Sequence, residues 1–71
     1  MEIEQTKVIQ IKYKNYKGET RIRTILPIEI WFGNTKYHTE NQWLLNAYDL
    51  DKKENRDFAI IDILFWNHGI E

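Results

Sequence analysis

"KYHTENQWLLNAYD", residues 36–49, decides how this chain folds. Thr39 with Gln42 three residues later forms a capping box ahead of an apolar run, which predicts a helix with Trp43, Ala47 and Leu50 on one face. The stretch "QWLLNAYD" is equally a buried strand, with "DKKEN" as a polar turn into "RDFAIIDILFW". Pattern alone leaves both readings open.

Upstream, "ILPIEIWF" (residues 25–32) places Leu26, Ile28, Ile30 and Phe32 on one strand face, with Pro27, Glu29 and Trp31 on the other. Pro27 has no N–H to give a ladder, so this run lies at a sheet edge or carries a bulge. "GNTK" follows as a turn, since Gly33 and Asn34 both tolerate left-handed φ. Residues 7–24 read as a β-hairpin: Ile9, Ile11 and Tyr13 alternate inward, "NYKGE" supplies a glycine turn, and "TRIRT" returns. Downstream, residues 56–66 are strand by β-branched and aromatic content, with Phe58, Ile60 and Asp62 on one face and "NHGIE" as a frayed end. Short strands separated by turn signals predict a small barrel or sandwich, with residues 1–71 as a single domain.

A chain of 71 residues buries only about 60% of the surface its unfolded form exposes, so its stability margin is narrow. There is no cysteine to staple it, and three Trp, four Tyr and three Phe must supply much of the core, with Trp43 as an expected anchor. Ten basic and eleven acidic residues give a net charge of −1, a weak footprint for polyanion binding. The longest apolar run, "AIIDILFW", is too short to cross a bilayer, and "MEIEQTK" lacks a signal pattern, so a cytoplasmic protein is expected.

The succession "IQIKYKNYKGETRIRTILPIEI", "QWLLNAYD" and "RDFAIIDI" resembles a short WYL domain over residues 8–64. The longer stretch "WFGNTKYHTENQWLLNAYD" is also similar to small uncharacterised bacterial and phage proteins. Trp43, Leu44 and Leu45 match the naming motif, with Leu44 in place of its tyrosine. Arg56 and Phe58 match an R-x-F strand, and Arg21 or Arg23 matches an arginine ahead of a proline, here Pro27. Asp62 stands where the family usually has an arginine. The resemblance implies an all-β, SH3-like/Sm-like small barrel of about five strands, with Gln42 to Asp49 as a strand. It also implies a regulatory, ligand-binding role, in a chain with no room for the usual helix-turn-helix partner.

For function, Trp31, His38, Glu40, Gln42 and Arg56 are the candidate ligand-binding residues. In an extended segment His38, Glu40 and Gln42 share one face, where an imidazole, a carboxylate and an amide converge on a polar or nucleotide-like ligand. The structural alternative is that His38 and Glu40 merely order a loop. His38 and Glu40, even with His68, make a poor metal site, and neither metal nor cofactor is expected. Without serine or cysteine, and with Asp49 and Asp51 around a solvated turn, no enzyme is expected. Two other readings remain. One is a protein-interaction module, a phage or mobile-element product that occupies a host protein through an exposed edge strand or aromatic patch, and the small core and edge strand also suggest a homo-oligomer. The other is weak single-stranded nucleic-acid binding by Lys12, Lys14, Arg21 and Arg23 on one hairpin face, interleaved with Tyr16.

Overall fold

The computed structural model describes residues 7–67. It is all-β: β1 (Ile9–Lys14), β2 (Thr20–Gly33), β3 (Gln42–Asp49), β4 (Glu54–Ala59) and β5 (Ile63–Asn67), with a 3-10 turn at Ile60–Asp62 before β5. All pairings are antiparallel, and the sheet order is β4-β3-β2-β1-β5. The ambiguous stretch is therefore a strand, flanked by β2 and β4. Its consecutive residues Leu44 and Leu45 lie on opposite faces and are both buried, Leu45 within the main core. The capping box is a decoy: Gln42 Nε2 donates to the carbonyl of Glu40 at 3.1 Å.

The first turn forms as its residues dictate. Asn15 Oδ1 accepts from the N–H groups of Lys17 and Glu19 (2.9 and 3.0 Å), and Gly18 takes φ +85°. Beyond it, "TRIRT" and "ILPIEIWF" are one 14-residue strand. β2 is central, so Pro27 does not mark an edge; the register shifts between Pro27 and Glu29, and the bulge absorbs the missing donor. The expected single strand over residues 56–66 is instead two strands. β4 completes the ladder against β3, whereas β5 pairs with β1 at the far side, and the 3-10 turn carries the chain between them.

The core comprises Ile11, Tyr13, Ile25, Leu45, Ala47 and Phe58, with Ile9, Ile60 and Ile63 packed around it. Tyr13 on β1 meets Phe58 on β4 edge to face, ring centroids 4.9 Å apart. In a flat sheet two strands separated by two others would lie about 14 Å apart. The sheet thus curls over its own inner face, with β4 and β5 as its two edges. Trp43 does not anchor this core: it is 57% exposed and leans edge-on against Phe32 at 5.3 Å. Asp49, expected in a solvated turn, is fully buried, and its Oδ1 accepts from the N–H groups of Asp51 and Lys52 at 2.9 and 3.1 Å.

Candidate functional site

Residues 34–41 connect β2 to β3 and place the central side chain of the site. Thr35 Oγ1 accepts from the N–H groups of Tyr37 and His38 (3.1 and 3.0 Å), while Thr35 N–H donates to the His38 carbonyl at 2.9 Å. Asn34 Nδ2 closes the base of the loop by donating to Asn41 Oδ1 at 2.7 Å. His38 is thereby held against β1, with Nε2 3.2 Å from the Tyr13 hydroxyl. That hydroxyl also accepts from the buried N–H of Ala59 at 3.0 Å, so one phenol ties together β1, the 34–41 loop and the end of β4.

Burial pushes the Tyr13 phenol above its ordinary range; the Asp62 charge adds to the rise, while the Ala59 N–H and Arg56 oppose it. Tyr13 therefore stays protonated at neutral pH and offers a hydrogen-bonding hydroxyl rather than a phenolate. Above it opens a cleft of about 490 Å³ that includes Tyr13, Tyr16, Tyr37, His38, Asn55 and Arg56 in its lining. The Arg56 guanidinium lies 5.9 Å from the Phe58 ring centroid, within cation–π range. Tyr16 and Tyr37 stand together at the rim, centroids 5.1 Å apart and planes tilted by 36°.

A second cleft of about 660 Å³ shares Tyr16, Tyr37 and His38 with the first. It continues past Glu40 and Gln42 to Trp43 and the 3-10 turn. The five expected ligand-binding residues therefore divide. His38 and Arg56 meet in the first cleft, and His38, Glu40 and Gln42 line the second. Trp31 lines neither: its indole N–H donates to Asp57 Oδ1 at 2.9 Å, a carboxylate that also accepts from Asn46 Nδ2 at 3.0 Å. Tyr13, Tyr16 and Tyr37 were the residues not singled out for this site. Tyr13 carried one signal, a phenol among isoleucines whose hydroxyl requires a partner inside the fold.

The four basic residues do not share a hairpin face. Tyr13 pairs with Arg21 and Ile11 with Arg23, whereas Lys12 pairs with Ile22 and Lys14 with Thr20, so the arginines and lysines lie on opposite sides. Arg21 also lies 3.9 Å from Glu19. Among the described residues no three His, Asp or Glu side chains gather to hold a metal; His68 lies outside them. No helix there is long and apolar enough to cross a membrane. Compared with family models, curated proteins and solved structures, the chain finds no match in any of the three.

Proposed function

We propose that this chain is a non-catalytic binding module whose first cleft takes a small ligand with a planar ring and an anionic group. The observation that supports this is the convergence of the Tyr13 hydroxyl, the His38 imidazole and the Arg56 guanidinium beneath the Tyr16–Tyr37 pair. A few fixed polar groups in a concave, partly aromatic wall orient a ligand, and a guanidinium is the side chain best shaped for a carboxylate or phosphate. Lys36 and Lys52 also line the cleft, while Asp57, one of its two carboxylates, is held by Trp31 and Asn46. The resemblance to WYL domains favours the same ligand class and a regulatory role.

A thermal-shift panel of nucleotides, cyclic dinucleotides and aromatic carboxylates tests this. A specific ligand at a hundredfold excess over its Kd stabilises by about 2.7 kcal/mol, enough to raise the midpoint of so small a domain by several degrees. Arg56→Gln is expected to abolish that shift while the unliganded midpoint barely moves. A panel with no shift, or a shift indifferent to Arg56, would overturn the reading.

A further inference from the structure

The two clefts share a wall and differ in charge. The second is lined by the carboxylates of Glu40 and Asp62 and by no lysine or arginine. Neither carboxylate is paired with a cation among the described residues. Around them stand large apolar side chains left open to solvent: Tyr16, Tyr37 and Trp43 are each more than half exposed, and Ile61 is 81% exposed. The tyrosine faces already draw cations, since Lys17 lies 5.9 Å from the Tyr16 centroid and Lys36 lies 5.1 Å from that of Tyr37. Exposed aromatic rings beside unpaired carboxylates are the surroundings in which a guanidinium or ammonium binds best.

We propose that this second cleft docks an extended, positively charged segment of a partner protein. The charge complementarity argues for the sign of the partner, and the shape argues for its form. The second cleft lacks the Tyr13 hydroxyl and the Arg56 guanidinium that would orient a small molecule in the first, but an extended chain can lay alternate side chains across its exposed apolar rim. Strand addition has little room here, because β3 is paired on both sides from Leu44 to Asp49 and only Gln42 and Trp43 leave their β4-side edge open. The remaining way to bind an extended segment is through its side chains, with rings and prolines on the tyrosines and Trp43, and cations on Glu40 and Asp62. A polyproline II segment suits this mode, since it is extended before binding and gives up little conformational freedom.

Fluorescence anisotropy of a labelled nonapeptide, three repeats of Pro-Pro-Arg, tests the proposal at about 0.15 M salt, where exposed long-range charge effects are screened. Saturable binding is expected, weakened about tenfold by the paired change Glu40→Gln and Asp62→Asn, and similarly by Trp43→Ala. Lys12→Gln, on the outer face of the hairpin, should leave it unchanged. A peptide with glutamate at each arginine position should not bind, a comparison that needs no variant to fold. Lack of saturation with the arginine peptide, equal binding of the glutamate peptide, or indifference to the paired carboxylate change would each overturn the proposal.

Discussion

Tyr13 has two duties, an inward ring and a hydroxyl that satisfies the Ala59 N–H and meets His38. Tyr13→Phe keeps the ring and orphans the buried N–H, so a loss of about 1–3 kcal/mol is expected in urea denaturation, against almost none for exposed Tyr16→Phe. Because the folded-state pKa of this phenol is raised, the unfolded chain releases the proton first, at about pH 10. The corresponding stability is fully present below that pH and is lost as pH rises through the folded-state value. Denaturation between pH 9 and 11 should therefore show a steeper decline for wild type than for Tyr13→Phe. Gly33 teaches a different lesson. Its presence suggested a left-handed turn, but it ends β2 without positive φ, and a Cβ there would collide with the Trp31 ring. Gly33→Ala should displace Trp31 from Asp57, cost about 1–3 kcal/mol and alter the near-ultraviolet circular dichroism. A single letter does not reveal whether glycine serves its own torsion or a neighbour's space, and Trp43 was equally opaque because side-chain size does not disclose which face is covered.

At the scale of elements, the hairpin around Gly18 was legible because alternation and turn chemistry are local. The β3 assignment was not settled by periodicity, since a two-sided buried strand and an amphipathic helix present similar apolar runs. Resemblance supplied what pattern did not. The 3-10 turn at Ile60–Asp62 left no local mark: neither glycine nor proline stands there, and the break exists because β5 must reach β1. The candidate site suffered in the same way: period two puts His38, Glu40 and Gln42 on one face of an extended segment, whereas residues 34–41 bend and Thr39 and Asn41 line the same cleft, and it said nothing of strands distant in sequence. The β3–β4 turn depends on Asp49, whose Oδ1 accepts two backbone N–H groups. Asp49→Ala should cost about 1–3 kcal/mol in chemical denaturation, whereas Asp51→Ala, on the exposed side of the turn, should fall within about 0.5 kcal/mol of wild type. Native-state hydrogen exchange should find the amides of β2 and β3 the slowest and those of the edge strand β5 faster.

For the molecule as a whole, the curl of the sheet rests on contacts between the first and fourth strands. Phe58→Ala removes the ring that Tyr13 packs against, and a loss of about 3–5 kcal/mol would leave so small a domain largely unfolded at 37 °C, as circular dichroism would show. The all-β class was legible in the turn spacing; the curl was not, because it depends on pairs far apart along the chain. The bond from Ala59 N–H to the Tyr13 hydroxyl spans 46 residues. At a ribosome adding about 5–20 residues per second, Tyr13 is made some 2–9 s before Ala59. During that interval the nascent hairpin holds Ile11 and Ile25 on a face with nothing to cover it, while its own formation takes only about 1–10 μs. The newborn chain is therefore expected to be at its most adhesive before β4 joins the sheet, and slowing synthesis of residues 42–59 should lower the soluble yield in a cell.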